Sequence, residues 1–501
     1  MTETATPEVI PCPEEISLEL GSDGQIVFVS DVHVTGGGPV ADFDATTELV
    51  ELLVELGKHE GEKLLLLGGD IFDLLQAGGT PVEAVDRVLA AQDAQAVAAA
   101  SAALAALPDA TVVYLVGNHD SALAWHPDAR LRVGEAFGID HFALRARVAV
   151  QTPDGKTVIV LAEHGHALDV YNRHADPYDP LDTPAGDHVV QEVVNRFDLL
   201  APERPDLGLD QIDNVRPSAA VPIWLVSNFF YRFLRRTLRR FALPLAGLFV
   251  LLHLPVATLV LRDLDRHRRS EEVARMTDRA IIWLFAIVVV DLILFVVLAA
   301  FLGRSLRDAA SVYGGTPEDE EVDQARRAAA MGELLTIRDP AASVLLGGHT
   351  HRALLVPGGR GRVVADAGCW IEGMVPVRAW FSLPPVFVAS YPCTWLQVLP
   401  AVGGVKVSLW ERPLAVTRRL SLVERVVMRG RAGPSKPAPG RIVREELALP
   451  KPGTLRPDWT PGSAAASATD DPLGSQRWAG LPTASAGSAG SAGAAPDEPA
   501  R

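Results

Sequence analysis

Short apolar runs that each end in polar residues recur along this chain, and helical patterns separate the first three of them. Unbroken runs of this kind are typical of strands buried on both faces. Residues 45–56 carry apolar side chains at helical spacing, and the alanine-rich segment 81–107 predicts one strong helix. The alternation predicts βα units in a largely parallel sheet. After residue 351, short apolar runs separated by turn signals predict a closing antiparallel sheet.

The polar residues that end five of these runs are all of metal-binding types. In chain order they are D-x-H at 31–33, G-D-x-x-D at 69–73, G-N-H-D at 117–120, H-G-H at 164–166 and G-H-T-H at 348–351. They offer carboxylate, imidazole and carboxamide groups without thiolate, a set that suits manganese, iron or zinc. Taken alone, Gly117-Asn118-His119-Asp120 is equally typical of a tight turn followed by a helix cap. The joint set of five, each at a strand end, predicts a metal site.

Composition excludes some classes of protein. A formal net charge of -16 argues against nucleic acid as the main partner, although a few local cations or metals could still bind a phosphate. Three widely separated cysteines, Cys12, Cys369 and Cys393, encode neither a disulfide framework nor a thiolate zinc site, and they favour a reducing compartment. The acidic, proline-containing start does not resemble a secretory signal. A mean hydropathy of +0.17 requires apolar residues to be concentrated somewhere.

Two long apolar runs account for that surplus. They span residues 241–261 and 280–302, which are 21 and 23 residues, and either is long enough to cross about 30 Å of hydrocarbon. The alternative is a pair of buried core helices. Core helices usually keep a polar face, whereas the ionisable residues here are only His253 and Asp291. We therefore predict membrane contact by a helical insertion.

The charges around the two runs leave their topology open. Five arginines lie between Arg232 and Arg240, ahead of the first run, and suit the anionic cytoplasmic surface of a membrane. The intervening residues 262–279 carry six arginines against five acids, which the positive-inside rule disfavours on the far side. Two crossings and a hairpin within one leaflet both remain possible interpretations.

In their order, the five motifs resemble those of the calcineurin-like metallophosphoesterase superfamily, over roughly residues 24–170 and 340–410. The resemblance implies an α/β fold, in which a sandwich of mixed sheets is flanked by helices. It also implies phosphoester hydrolysis with two divalent metal ions, for which manganese is preferred over iron or zinc. It implies Asp31, His33 and His351 as ligands of the first metal, Asn118, His164 and His349 as ligands of the second, and Asp70 as the bridging carboxylate. It further implies that His119 contacts the phosphate and protonates the leaving group, with Asp120 orienting it.

Four further polar residues near the motifs are less informative. Asp73 is as typical of a helix cap as of a residue that supports a ligand. His166 fits a supporting role next to His164. His174 and His188 lie in a loop-rich segment where an exposed histidine is the default, and the sequence assigns them no role.

The place of the insertion bears on the substrate. In UDP-2,3-diacylglucosamine hydrolases, relatives that cleave a lipid-linked pyrophosphate, a lipid-binding cap follows the corresponding histidine. The similarity of position favours a lipid or amphiphilic substrate, but those enzymes carry arginine where this chain has His119. The predicted function is a membrane-associated phosphoesterase, phosphodiesterase or pyrophosphatase with a cytoplasmic catalytic domain. One alternative is a non-catalytic membrane scaffold, which the intact ligand set disfavours. The other is a channel or transporter, which only Asp291, an ionisable residue inside an apolar run, supports.

These patterns divide the chain into five segments. They are an N-terminal arm at 1–23, the first part of the metallophosphoesterase domain at 24–170, a helical insertion at 171–339, the second part of the domain at 340–426 and a tail at 427–501. The tail is rich in Pro, Gly, Ala and Ser. Because such a composition buries too little apolar area to offset its ordering entropy, we predict that it is disordered.

Overall fold

Two β-sheets that pack face to face form the centre of the structure. The computed structural model describes residues 11–36, 43–189, 220–237, 320–380, 383–428 and 436–450, with scattered residues between 191 and 305. The strands are β1 (Glu15–Leu20), β2 (Gln25–Val29), β3 (Lys63–Leu67), β4 (Ala110–Leu115), β5 (His141–Ala143), β6 (Arg145–Gln151), β7 (Thr157–Glu163), β8 (Val344–Gly347), β9 (Leu354–Pro357), β10 (Val363–Asp366), β11 (Gly373–Val377), β12 (Val386–Ser390), β13 (Thr394–Ala401), β14 (Gly404–Glu411) and β15 (Arg441–Ala448). The helices are α1 (Thr46–Gly57), α2 (Leu74–Ala77), α3 (Pro81–Leu89), α4 (Gln92–Ala105), α5 (Ala122–Trp125), α6 (Pro127–Phe137), α7 (Ala185–Val189), α8 (Val221–Thr237), α9 (Glu320–Arg338) and α10 (Leu422–Val427).

The first sheet has seven strands in the order β15-β14-β13-β2-β3-β4-β5. Strands β2 to β5 are parallel, as the βα pattern predicts. Strands β13 and β14 are antiparallel and extend the same sheet beyond β2. The carboxyl ends of β2, β3 and β4 therefore lie side by side at one edge.

The second sheet has six strands in the order β1-β6-β7-β8-β10-β9. Strands β7, β8 and β10 are parallel, β6 is antiparallel to β7, and β9 is antiparallel to β10. The run that contains β10 thus belongs to a mixed sheet, rather than to the closing antiparallel sheet that its pattern predicts. Strand β1 pairs with β6, so part of the N-terminal arm is an edge strand of this sheet.

Apolar side chains fill the space between the sheets and cover both outer faces. Phe28 and Leu66 of the first sheet share one buried cluster with Val160 and Leu346 of the second. Helices α1, α3, α4 and α6 pack on the outer face of the seven-stranded sheet. Helix α9 packs on the six-stranded sheet through residues such as Leu335. The mixed sheets with flanking helices confirm the predicted α/β class.

The alanine-rich segment is two helices and not the single helix that its composition predicts. Helices α3 and α4 meet at 86°, and Ala91 between them has an extended backbone. No glycine or proline lies at the break. Both helices contact α6, so we attribute the break to tertiary packing. Among the described residues no single helix has the length and apolar content to span a membrane. Helices α3 and α4 have that length and apolar content only when they are taken together, as a bent pair.

Two predictions concern segments that the structure describes only in part. The apolar runs 241–261 and 280–302 lie largely outside the described residues, apart from isolated positions. Within the predicted disordered tail, residues 441–448 form β15, which pairs with β14, and Ala448 is buried. The prediction of disorder is wrong there, because the open edge of β14 provides backbone hydrogen bonds that composition cannot reveal.

Candidate metal centre and active site

The five polar motifs converge at one edge of the sandwich. Strands β2, β3 and β4 deliver three of them from the first sheet, and β7 and β8 deliver the other two from the second sheet. Seven described residues other than glycine have positive φ, and five of these are predicted ligands: Asp31, His33, Asp70, His349 and His351. Such backbone conformations are costly and cluster at functional sites. The local strain therefore supports the assignment of this edge as the site.

The first ligand group consists of Asp31, His33 and His351, whose ligand atoms lie within 4.8 Å of one another. The Nε2 atom of His351 is 3.2 Å from Asp31 Oδ1 and 3.2 Å from His33 Nε2. Asp31 Oδ2 accepts hydrogen bonds from Ser30 Oγ and from the backbone N–H of His349. These bonds orient Asp31 so that Oδ1 faces the two imidazoles.

The second ligand group consists of Asp70, His164 and His349, again within 4.8 Å of one another. His164 Nε2 lies 3.1 Å from Asp70 Oδ2 and 3.2 Å from Asn118 Oδ1. The structure thus brings all seven predicted metal ligands into two adjoining groups. The first group has three residues, and the second has four once Asn118 is added to Asp70, His164 and His349.

Asp70 lies between the two groups. Its Oδ2 atom is 3.1 Å from His164 Nε2 in the second group and 4.0 Å from His33 Nε2 in the first. Its other oxygen, Oδ1, accepts a hydrogen bond of 2.8 Å from the backbone N–H of His119. One carboxylate oxygen is thereby directed at the point where the two ligand groups meet.

The donor atoms fit two divalent cations. Asp31 Oδ1 and Asp70 Oδ2 are buried and have no hydrogen-bond partner among the described residues. His33 Nδ1 bonds Asp73 Oδ2 and His164 Nδ1 bonds the carbonyl of Gly68; because these oxygens only accept, each Nε2 faces the centre. Buried carboxylates of this kind, next to imidazole nitrogens, need a cation for charge balance.

Electrostatics at the centre favours positive charge. Burial lowers the pKa of His164, but the charges of Asp70 and Asp31 outweigh burial and raise the pKa to about 10. Burial raises the pKa of Asp31, but His351 and His164 hold it well below its usual value. The carboxylates therefore remain ionised and attract a cation to this point.

Two glycines allow the ligands to approach so closely. A Cβ on Gly117 would collide with Asp70 Oδ1, and one on Gly348 would collide with Ser30 Oγ. The glycines of the third and fifth motifs are therefore required by space, since even alanine would displace a carboxylate of the centre or its support.

Asp73 orients the predicted acid, His119. Asp73 Oδ2 accepts hydrogen bonds from His119 Nδ1 at 2.9 Å and from His33 Nδ1 at 3.2 Å. Its Oδ1 accepts from Gln76 N and caps α2, so both interpretations of this residue apply. Burial lowers the pKa of His119, but Asp73 and then Asp70 raise it to about 9. With Nδ1 bonded to Asp73, His119 directs its Nε2 away from that carboxylate, and the raised pKa favours the protonated ring.

Asp120 does not have the orienting contact that the sequence predicts for it. Its side chain accepts from Gly117 N at 2.6 Å, from Tyr114 Oη at 2.6 Å and from Ile71 N at 3.2 Å. Burial, followed by the charge of Asp70, raises its pKa to about 7. Asp120 therefore holds the turn that carries Asn118 and His119, and Asp73 contacts the histidine.

Further residues near the centre escaped prediction. Asp169 Oδ2 lies 3.1 Å from His349 Nε2, and its pKa is held at about 2, because burial is outweighed by the hydrogen bond with His349. Its spacing from the fourth motif, H-x-H-x-x-D, was an available signal. His166, for which the sequence predicts a supporting role, packs with its ring centroid 5.5 Å from that of His164. Asp187 is buried and carried no sequence signal.

Comparison with known proteins agrees with this geometry. Residues 24–217 match the family described as calcineurin-like phosphoesterase, a range that contains the first four motifs. No curated protein matches the chain. The fifth motif lies beyond the matched range and reaches the centre through the pairing of β8 with β7. Residues 24–217 thus match the calcineurin-like phosphoesterases, a family of metal-dependent hydrolases of phosphoric esters.

Proposed function

We propose that this protein is a two-metal phosphoesterase that cleaves a phosphodiester or pyrophosphate at the cytoplasmic face of a membrane. The position of Asp70 carries the two-metal part of the proposal. Its Oδ2 is buried, has no hydrogen-bond partner among the described residues and approaches imidazoles of both ligand groups. A single cation would leave one of the two groups of buried carboxylate and imidazole uncompensated.

When bound, two divalent cations would polarise a phosphoryl oxygen and provide a nucleophile from water at neutral pH. The chain itself supplies orientation and a proton. Asp70 and Asn118 are fixed by the turn that Asp120 holds, so the phosphoryl group meets a rigid set of donors. His119, with Nδ1 bonded to Asp73, would donate the Nε2 proton to the leaving oxygen. Manganese suits the mixed oxygen and nitrogen donors, with iron and zinc as alternatives.

Membrane association rests on the insertion. Among its described positions, Ile282, Phe285, Leu294, Leu298 and Phe301 are each between 60% and 69% exposed. Large apolar side chains exposed in series are unfavourable in water and mark a contact surface. Nearby, α8 presents exposed Arg235 and Arg236, which suit anionic headgroups. This combination supports a membrane partner and a lipid-linked or amphiphilic substrate.

Helix α8 ties this insertion to the catalytic body. Trp224 of α8 is buried against Phe387 of β12. Tyr231 Oη donates a hydrogen bond of 2.7 Å to the carbonyl of Pro384. Helix α8, a part of the insertion, is thus held on the two-stranded sheet of β11 and β12.

The activity is tested with the full chain purified in detergent and loaded with manganese. A panel of lipid and nucleotide phosphodiesters and pyrophosphates is assayed beside His119→Ala. We expect hydrolysis of at least one amphiphilic substrate, and a loss of about 10² to 10⁴-fold in the variant. Activity confined to water-soluble substrates would remove the lipid proposal. Absence of turnover on the whole panel in the metal-loaded chain would contradict the enzyme mechanism.

Membrane binding is tested separately by flotation with lipid vesicles. Vesicles containing phosphatidylglycerol should retain the full chain, and the double variant Arg235→Glu and Arg236→Glu should bind more weakly at low salt. Equal flotation of the wild type with and without vesicles would contradict the membrane proposal.

A further inference from the structure

Three polar atoms on the segment after the fourth motif are buried and make no hydrogen bond with any described residue. They are His166 Nδ1, His174 Nε2 and Asp187 Oδ1. Asp187 as a whole is only 3% exposed. A buried carboxylate oxygen without a partner is costly, so a donor that is not part of the described chain is needed there.

Contacts along this segment place the three residues beside the metal centre. The ring centroid of His166 is 5.5 Å from that of His164 and 6.0 Å from that of His174. Asp187 is fixed through its neighbour Gly186, whose backbone N–H donates to the carbonyl of Tyr171 at 2.8 Å. The segment is thus a wall of the site and not a distant loop.

The turn below α7 is held to the second ligand group. Asn172 Nδ2 donates to Asp169 Oδ2 at 2.7 Å, and the same oxygen lies 3.1 Å from His349 Nε2. A Cβ on Gly186 would collide with Asn172 Oδ1, so α7 rests directly on this turn. The position of Asp187 is therefore linked through side chains to a predicted metal ligand.

A third metal ion does not explain the unpartnered atoms. Bonds from a cation to nitrogen and oxygen ligands are about 2.0 to 2.2 Å, so its ligand atoms must lie within a few ångströms of one another. Three groups in the described chain meet a limit of 4.8 Å, and the set of His166, His174 and Asp187 is not among them.

The hydrogen-bonding character of the atoms points to a hydroxyl group. His174 Nδ1 lies 2.9 Å from the carbonyl oxygen of Asp182, which only accepts, so Nδ1 carries the hydrogen and Nε2 of the neutral ring is an acceptor. Asp187 Oδ1 is also an acceptor. Each acceptor can take one hydrogen bond from an alcohol O–H, and together they repel a second phosphate.

We infer that Asp187 and His174 form a subsite for two hydroxyl groups on the organic part of the substrate, one donating to each acceptor, next to the phosphoryl group at the metal centre. The inference rests on the proposed phosphoesterase function and specifies its substrate class: phosphoesters of polyols such as glycerol or a sugar. Asp187 is the main determinant, because its carboxylate makes the stronger bond.

Direct binding tests the subsite without turnover. The probes are 3,4-dihydroxybutylphosphonate and butylphosphonate, which share an anion that cannot be hydrolysed and differ only in two hydroxyl groups. Calorimetry on the manganese-loaded full chain should show about tenfold tighter binding of the dihydroxy probe. Asp187→Asn and His174→Ala should each reduce this preference, whereas the exposed Asp179→Asn should keep it.

Equal affinity of the wild type for the two phosphonates would overturn the inference, and this comparison does not depend on any variant folding. A preference that persists unchanged in a folded Asp187→Asn protein would overturn it as well. Hydrolysis of p-nitrophenyl glycerol phosphate and p-nitrophenyl propyl phosphate is measured in parallel. If the dihydroxy probe is preferred but neither ester is cleaved, the proposed function fails and the subsite stands.

Discussion

Replacing Asp73 by asparagine tests proton donation by His119. The carboxylate accepts from His119, from His33 and from Gln76 N. An amide has one acceptor oxygen, so it cannot serve both histidines and cap α2 at the same time. Either the cap or the orientation of the two imidazoles is lost.

The structure sets the size of the effect on His119. Its pKa rises from 6.5 to about 9, with Asp73 as the larger contributor after burial and Asp70 as the next. The rise corresponds to about 3 kcal/mol in favour of the protonated ring, since one pKa unit is about 1.4 kcal/mol. Loss of the Asp73 charge should remove at least about one pH unit of this shift.

The assay is kcat/KM against pH for two phosphodiesters, one with a p-nitrophenolate and one with an alkoxide leaving group. His119 acts as an acid only when protonated, so activity is present below its pKa and is lost as pH rises through it. In Asp73→Asn this loss should begin at lower pH. With the alkoxide ester we expect a decrease of about 10 to 100-fold, and a smaller one with p-nitrophenolate, which needs little protonation.

The matched control is Asp86→Asn, at an exposed position on α3 away from the motifs. It should leave both profiles unchanged. An unchanged basic limb in Asp73→Asn, or equal losses for the two leaving groups, would refute the assignment of His119 as the acid oriented by Asp73.

Three other substitutions and removal of the metal probe the metal centre. Asp70→Ala should reduce bound metal from about two ions per chain to less than about one and abolish hydrolysis, as measured by plasma mass spectrometry and the phosphodiester assay; retention of two ions would exclude a bridging role. Gly117→Ala should lower activity by about 100-fold or more in a folded protein, because its Cβ would displace Asp70 Oδ1, and wild-type activity would show that the turn yields. Asp169→Asn should weaken binding of the second metal by about 10 to 100-fold through His349, seen as a higher manganese concentration for half-maximal activity. Chelation should lower the melting temperature of the wild type, and manganese should restore it, since a ligand that binds only the folded state stabilises it by about 3 kcal/mol at a hundred times its Kd.

Local patterns predicted the strands and the polar residues that meet at the centre, because both depend on residues close in sequence. Each motif follows an apolar run, and parallel strands bring such ends together at one edge. The partner of His119 was beyond this reasoning. Asp120 is adjacent in sequence, but the contact comes from Asp73 on the neighbouring strand end, 46 residues away.

The same limit explains the other differences. The break at Ala91 follows from packing on α6, and β15 forms because β14 offers an open edge. Asp187 and His174 gain their place from contacts with a turn that no periodicity marks. These features depend on packing against a neighbouring element, which the local sequence does not show.

The pairing of β7 with β8 has a consequence for how such an enzyme can diversify. The two strands are direct neighbours, yet the whole insertion lies between them in the chain. The chain leaves beside His164 and comes back beside His349, so the endpoints of the insertion stay fixed whatever its length. New substrate-binding walls and membrane attachments can therefore evolve there while the metal chemistry is inherited unchanged.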